Sequence, residues 1–360
     1  MTLTVGVLGL DHPHAQGHLA ALATAPEIAA LRIWDADPGR LRQQVAKLPN
    51  AQAVSRPEEL IDRNAVDALV VLLPTARAQE WTLSAIQTGL SVFADKPGAT
   101  NAAAMERIVR AAQETGAHFC PCYPWRTEPA AHEVAKLLAD GVLGDLWSFE
   151  ATWLTTQVAL RGPDSWLFQR HIAGGGILLW LACHWLDLLR VLVGPATEVD
   201  ALVTTHCEQG IDVEDVACLL LRLQNGAIGT LRAGYLHRAF EDYDDSDLHL
   251  SFEGSLGALF WPTARRDHYR LRTRHEAYAD EPLRWVRASA KTASDAGRQG
   301  YYPMFLKRFL EAVQGKGDYP ATEQDALYVL RVAEAAYRSS DSGVRQPLET
   351  PREPRSAPAC

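Results

Sequence analysis

Cysteine is scarce in this chain. Its six cysteines (Cys120, Cys122, Cys183, Cys207, Cys218 and Cys360) in 360 residues show no spacing of a disulfide scaffold. Cys120-Pro-Cys122 is the one close pair, too isolated to supply a four-ligand zinc site. Reduced thiols and a cytoplasmic protein are expected. Basic residues are also in deficit, 35 Lys and Arg against 44 Asp and Glu, for a formal net charge of −9. With no Lys/Arg runs, this balance argues against nucleic acid or an anionic membrane as partner. The N-terminal stretch from Thr2 lacks a basic leader region and reads as a strand, so a signal peptide is not expected. The most apolar segment, Ile177 to Val193, is interrupted by His184, Asp187 and Arg190. It falls short of the roughly 20 clean residues of a membrane span and reads as a buried helix.

What is present is an ordinary globular balance, 47% hydrophobic and 22% charged, over a length suited to two domains. Ten Trp, ten Tyr and nine Phe lead to the expectation of an aromatic-lined concave site.

Up to residue 122 the pattern alternates. Short apolar runs (Val5–Gly9, Leu31–Asp35, Val66–Leu73, Leu90–Ala94, Ala117–Cys120) are separated by helical stretches (His14–Ala25, Pro38–Leu48, Ala76–Gly89, Ala102–Thr115). Alternation of this length specifies a doubly wound parallel sheet, a Rossmann-type α/β domain. The character changes after Pro121. A helix at Pro129–Asp140, a strand at Leu146–Leu154 and the Ile177–Val193 helix precede several closely spaced strands between Glu198 and Trp261, with a hairpin signal at Asn225-Gly226. That is an α+β domain on a large open, mostly antiparallel sheet. Arg265–Arg298 reads as an irregular polar excursion, and Met304–Val313 and Glu323–Ser339 as closing helices. The domains are therefore 1–122 and 123–346, with 347–360 an extended, mobile tail.

A strand that ends at Gly9 and enters a helix is where a parallel sheet places a pyrophosphate. The glycine pattern is reduced to its first member in Gly9-Leu10-Asp11-His12-Pro13-His14. Asp35, ending the second strand, is placed to hold the adenosine ribose hydroxyls. Ala36 and Asp37 follow it with no Arg or Ser, so NAD is expected rather than NADP. His12 and His14 also admit a metal-hydrolase reading, which needs an eight-stranded barrel and further ligands at later strand ends; His118 could be placed so, but the second half lacks the barrel's alternation. They are read instead as lining the phosphate turn or capping its helix, and no metal is expected.

The run Val66–Pro74, then Ala85-Ile-Gln-Thr-Gly89 and Asp95-Lys96-Pro97, resembles the Gfo/Idh/MocA family of oxidoreductases, whose Glu-Lys-Pro stands here as Asp-Lys-Pro. The resemblance continues through Arg126-Thr-Glu-Pro129, Gly141-Val-Leu-Gly144, Gly174-Gly-Gly176, His184-Trp-Leu-Asp187, Asn225-Gly-Ala227, Gly254-Ser-Leu-Gly257 and Pro320–Leu327. It implies hydride transfer between NAD(H) and a secondary alcohol or carbonyl of a sugar, cyclitol or related polyol. It implies Lys96 and His184 as the proton-transfer residues. Gly9, Asp11, His12, Asp35, Pro74, Thr75, Asp95, Lys96 and Pro97 are the expected cofactor contacts. Arg126, Trp166, Trp180, Asp187 and His237 are the candidates for substrate.

That chemistry is physically coherent. As hydride leaves the C–OH carbon, a base must take the hydroxyl proton and a cation should stabilise the developing alkoxide. The positive nicotinamide disfavours the charged form of a neighbouring lysine, and a histidine can share the proton. Trp180, His184 and Asp187, at i, i+4 and i+7, are expected on one helix face.

The chain departs from the family in three places. Where the family has Asp-x-Gly-x-His, this chain has Trp180-Leu-Ala182-Cys-His184, which removes a carboxylate. The family's asparagine-and-histidine turn is replaced by Pro74-Thr75-Ala76-Arg77-Ala78, and the Gly9–His14 turn is poor in glycine. These departures leave a second reading open, a regulatory protein that binds dinucleotide or sugar without turnover. An open sheet needs cover, so a homo-oligomer, dimer or tetramer, is expected.

Overall fold

The structure, a computed structural model, describes residues 2–237, 246–263, 267–288 and 301–349. The chain forms two compact units. The first is Met1–Pro124 with His171–Gly174 and Asp295–Leu327; the second is Trp125–Arg170, Gly175–Ser294 and Tyr328–Cys360.

In the first unit β1 (Leu3–Leu8), α1 (Ala15–Thr24), β2 (Ile28–Trp34), α2 (Pro38–Val45), β3 (Ala51–Ala53), β4 (Ala68–Val71), α3 (Thr75–Gln87), β5 (Val92–Asp95), α4 (Ala102–Thr115) and β6 (Phe119–Cys122) follow in order. The strands are all parallel, in the sheet order β3-β2-β1-β4-β5-β6. This doubly wound order reverses direction between β1 and β4, and ligands bind outside the carboxyl ends of the strands at that switch. Val5, Val7, Leu69, Val70, Val92 and Phe93 are fully buried, which is why these strands read as continuous apolar runs. The three-residue β3 has no apolar run of its own and escapes sequence reading.

The second unit contains α5 (Pro129–Ala139), β7 (Leu146–Thr155) and the short α6 (Gln157–Arg161); the single turn α7 (Arg170–Ala173) follows in the chain. Next come a π-helical turn, Leu178–Ala182, and α8 (Cys183–Val193). The strands are β8 (Ala196–Thr204), β9 (Val216–Leu223), β10 (Ile228–Gly234), β11 (Ser246–Gly254), β12 (Gly257–Trp261), β13 (His268–Thr273), β14 (Leu283–Arg287) and β15 (Gln346–Pro347). They form one sheet in the order β14-β13-β12-β11-β7-β10-β9-β8-β15, antiparallel except for β7 with β10. The helices α9 (Tyr301–Val313) and α10 (Glu323–Ser342) close the described chain. Within the first unit, Phe305 and Phe309 of α9 pack their rings against Phe93 of β5 at 6.3 and 5.5 Å.

Two sequence expectations need correction. Within the expected irregular excursion, His268–Thr273 and Leu283–Arg287 form β13 and β14 at one side of the sheet, while 265–266 and 289–298 lie outside the described residues. Tyr269, Leu271 and Thr273 turn inward and are buried, while Arg270 and Arg272 face out, so a half-buried strand one in from the sheet edge looks like polar loop in the sequence. Of the tail 347–360, Pro347 pairs with β8, Leu348 N–H donates to Thr197 O at 2.8 Å, and 350–360 lie outside the described residues.

The register gives the large sheet two unlike faces. Ala201, Leu219, Leu231, Ala151, Leu250 and Trp261 stand in one cross-strand row, all buried. One residue along, the row Asp200, Leu220, Thr230, Glu150, Ser251, Phe260, Arg270 and Trp285 has no buried member. The helical run Arg170–Val193 is long and apolar enough to cross a membrane by length and composition, but 83% of its most apolar window is buried inside the protein.

Candidate functional site

In the first unit the Gly9–His14 turn crosses the carboxyl ends of three strands. Gly9 N–H donates to Trp34 O at 2.8 Å and His12 N–H to Leu72 O at 3.0 Å. Gly9 has φ +80°, and a Cβ there would run into the Leu73 side chain, so glycine is needed for both conformation and space. His14 stands at the N-cap of α1 without a side-chain capping bond, so the capping reading of His14 is not what the structure shows.

Its ring turns instead to Asp95, the last residue of β5. His14 Nδ1 lies 2.9 Å and His18 Nε2 3.0 Å from Asp95 Oδ2, and His12 Nδ1 lies 3.5 Å from the same oxygen. His12, His18, Asp95 and Lys96 are buried, Lys96 with 1% exposure. Burial holds the His12 imidazole well below its ordinary pKa and lowers that of His14, against the pull of Asp95. Burial alone would raise Asp95, yet the neighbouring His12 and His14 and the hydrogen bonds from His14 and His18 keep its carboxyl well below the usual range. Across the register from Asp95 is Cys122, whose thiol burial pushes up. The barrel that a metal-hydrolase reading of His12 and His14 requires is absent from this doubly wound sheet. The fold supplies Asp95, 81 residues beyond His14.

Asp35 lies just past the end of β2, its side chain fully buried. It accepts from Asp37 N–H at 2.7 Å and from Arg40 Nε and Nη2 at 3.1 and 2.8 Å. The same guanidinium also bonds Asp11 on the phosphate turn. Burial works against the charge on Arg40, but its bonds to Asp35 and Asp11 outweigh that and raise its pKa. Sequence reasoning looked only at the residues directly after Asp35 and missed Arg40, which the first turn of α2 brings back to it. Pro74 and the buried Thr75 open α3, and Pro97 is buried next to Lys96.

In the second unit the helical segment starts on Glu214. Ile177 N–H donates to Glu214 O at 3.1 Å and Leu178 N–H to Glu214 Oε1 at 3.2 Å, an oxygen that also accepts from Tyr337 OH at 2.8 Å. The π-helical turn contains Trp180, so the uniform α-helical spacing expected from Ile177 onward does not hold. Trp180 meets Trp166 edge-on with ring centres 6.2 Å apart, and the Arg161 guanidinium lies 5.8 Å from its ring centre. His184, buried, stacks on Trp153 at 5.5 Å and 21°. Asp187 is engaged by Arg126 in a two-pronged ion pair, with Arg126 Nε donating to Oδ2 at 2.8 Å and Nη2 to Oδ1. Two substrate candidates are thus each other's partners in a salt bridge with both side chains largely buried. His237 is placed with Asp247, Nε2 to Oδ2 3.5 Å.

Four of the ten tryptophans build core together. Trp125 packs against Trp185, Trp153 and Trp261 at 4.9, 5.8 and 6.3 Å, and Trp185 Nε1 donates to Thr152 O at 2.7 Å. Trp153 and Arg161 were not anticipated. The alternation of β7 puts Trp153 on the same face as Phe149 and Ala151, a signal the sequence did carry.

Comparison with known proteins bears on both units. Residues 3–122 match the GFO_IDH_MocA family, described as "Oxidoreductase family, NAD-binding Rossmann fold". Residues 135–349 match its partner family, "Oxidoreductase family, C-terminal alpha/beta domain". The inositol 2-dehydrogenase 2 of Saccharopolyspora erythraea is 28% identical over 364 residues, covering 98% of both chains. The levoglucosan dehydrogenase of Pseudarthrobacter phenanthrenivorans is 23% identical over 299 residues, 75% of this chain and 76% of that protein. A solved levoglucosan dehydrogenase, in complex with NADH and levoglucosan, has the same fold, with a TM-score of 0.86 at 22% identity, covering 98% of this chain and 100% of the other. With both of its regions matched in order, the chain belongs to the Gfo/Idh/MocA family of oxidoreductases and carries that family's NAD-binding Rossmann domain.

Proposed function

We propose that this enzyme transfers hydride between NAD(H) and a secondary alcohol or carbonyl of a sugar, cyclitol or similar polyol, with Lys96 and His184 moving the proton. The observation that carries this reading is the buried Lys96, set at the carboxyl end of β5 beside the dinucleotide turn. A lysine kept from water inside an Asp-Lys-Pro turn suits proton exchange with a reacting hydroxyl better than it suits surface charge. Relatives named for levoglucosan and inositol agree in substrate class. In this reading residues 1–122 hold the dinucleotide and 123–346 supply the substrate side. Trp166 and Trp180 offer aromatic faces of the kind that stack on sugar C–H surfaces, and Arg126, Asp187 and His237 complete the proposed contacts. Because Trp180 replaces the carboxylate the resemblance leads one to expect, proton transfer rests on the lysine and the histidine alone. A cytoplasmic location belongs to the same reading, since a chain sparing in cysteine needs no oxidising compartment.

The test is a panel of sugars and cyclitols with NAD⁺, followed by absorbance of the reduced cofactor, for the wild type and Lys96→Met. Turnover on a polyol, abolished in Lys96→Met with NADH binding retained, is the expected result. Undiminished turnover in that variant overturns the assignment of Lys96. Tight NAD binding without turnover on any substrate in either direction assigns the fold to sensing instead.

A further inference from the structure

We propose that His12, His14 and Asp95 form a binding site for one divalent transition-metal ion of the Zn²⁺ class, built into the turn that in other dinucleotide folds is rich in glycine. The first ground is convergence. Within the first unit three imidazoles surround a single carboxylate oxygen, Asp95 Oδ2, at 2.9, 3.0 and 3.5 Å. The potential ligand atoms of His12, His14 and Asp95 all lie within 4.8 Å of one another. Ligands held about 2.0–2.2 Å from a tetrahedral ion stand roughly 3.3–3.6 Å apart, so the widest pair must close by about 1.2–1.5 Å on binding.

The second ground is a count of protons. The backbone N–H of His14 donates to His12 Nδ1 at 3.2 Å, so that nitrogen carries no hydrogen of its own, and on binding an ion its one lone pair turns from this N–H to the metal. It faces Asp95 Oδ2, also a lone-pair atom, across 3.5 Å. Two acceptors facing each other repel unless a cation lies between them. The third ground is that Asp95 Oδ1 is buried and accepts no hydrogen bond from any described residue, in a residue only 8% exposed. A buried carboxylate oxygen left over in this way requires a partner.

The donor set selects the ion. Two imidazole nitrogens and one carboxylate suit Zn²⁺, Co²⁺, Ni²⁺ or Fe²⁺, whereas Mg²⁺ and Ca²⁺ prefer all-oxygen sets. His18 is not needed as a ligand. Its bond to Asp95 orients the carboxylate, as outer hydrogen bonds commonly do at metal sites. The His14 side chain is 21% exposed and gives an ion access from solvent. When the ion takes His14 Nδ1, the proton moves to Nε2, and Asp95 exchanges a hydrogen bond for a metal bond.

The experiment uses the full chain, stripped with a chelator under reducing conditions and titrated with Co²⁺. Visible d–d bands that saturate at about one equivalent, without thiolate-to-cobalt charge-transfer bands, are expected. Zn²⁺-loaded protein is expected to keep about one equivalent through gel filtration by elemental analysis. His14→Gln, and separately His12→Gln, should weaken Co²⁺ binding by roughly tenfold or more, while His132→Gln leaves it unchanged. Circular dichroism of the metal-free variants checks that they fold. No Co²⁺ bands in the wild type, thiolate bands placing the ion on Cys120 or Cys122, or unchanged affinity in folded His12 and His14 variants each overturn the site. The readout is metal rather than turnover, so it is independent of the substrate assignment.

Discussion

Asp11 and Asp35 share one guanidinium, and that changes what the adenosine end of the dinucleotide site can hold. The residues straight after Asp35 argue for NAD because a 2′-phosphate would meet carboxylates. The structure sets Arg40 against both Asp35 oxygens, at 2.8 and 3.0 Å, and half of that argument is neutralised. An arginine at this point of the fold accommodates a 2′-phosphate. Arg40→Ala should therefore leave kcat/KM with NAD⁺ near the wild-type value and lower whatever activity NADP⁺ supports. We expect the NAD/NADP preference to move about tenfold toward NAD, roughly 1.4 kcal/mol. Steady-state kinetics with both cofactors checks this, and an unchanged ratio removes Arg40 from cofactor selection. At this scale the sequence was legible where function sits in contiguous residues, as in Asp95-Lys96-Pro97. It was not legible where partners meet through the fold. His14 and His18, one helical turn apart, hinted at a shared face, but nothing local announced that Asp95 would receive both.

The helix bearing Trp180 and His184 is fixed at its start by one buried acid. Burial raises the pKa of Glu214, only partly offset by the hydrogen bonds it accepts and by Arg170, 3.8 Å away. A carboxyl whose folded pKa is raised binds its proton more tightly in the native state. Its contribution to stability is therefore full below the unfolded pKa of about 4.3 and is lost as pH rises through the folded value. Glu214→Gln keeps an acceptor for Leu178 N–H and Tyr337 OH but cannot ionise. Its Tm should fall less than that of the wild type as pH is raised across this window. Parallel Tm–pH curves for the two proteins would falsify the assignment. Gly176 makes the same junction tight, because a Cβ there would strike the Glu214 carbonyl oxygen. Gly176→Ala should cost about 1–3 kcal/mol in chemical denaturation, with the loss of turnover exceeding the loss of bound NADH; a variant as stable as the wild type shows the junction to be slack. The apolar run of this helix was plain in the sequence, but its π-helical turn was not. A wider turn is set by what packs around it, and residue periodicity alone does not carry that information.

At the scale of the whole chain, two regions of different periodicity were readable because buried parallel strands and half-buried antiparallel strands leave different patterns. The strand order, and the return of Asp295–Leu327 to the first unit, depend on contacts distant in sequence and left no such pattern. The acidic balance carries little information about the ligand once backbone amides at a helix N-terminus can hold a pyrophosphate. The outer face of the large sheet is the whole-molecule feature with the clearest consequence. Leu220 is 46% and Trp285 60% exposed, in a row that runs the width of the sheet with no buried member, and Leu202 nearby on β8 is 75% exposed. Strands that alternate this way present one finished face and one that a second copy of the chain can cover. In a two-fold interface every residue occurs twice, so one added charge is placed on both sides of the contact. Leu220→Glu should therefore leave the circular dichroism spectrum unchanged, since the position is already exposed, and shift the particle to a smaller size in light scattering coupled to gel filtration. A wild type that is monomeric at micromolar concentration, or a variant of unchanged mass, shows that the sheet face is not where copies of this chain meet.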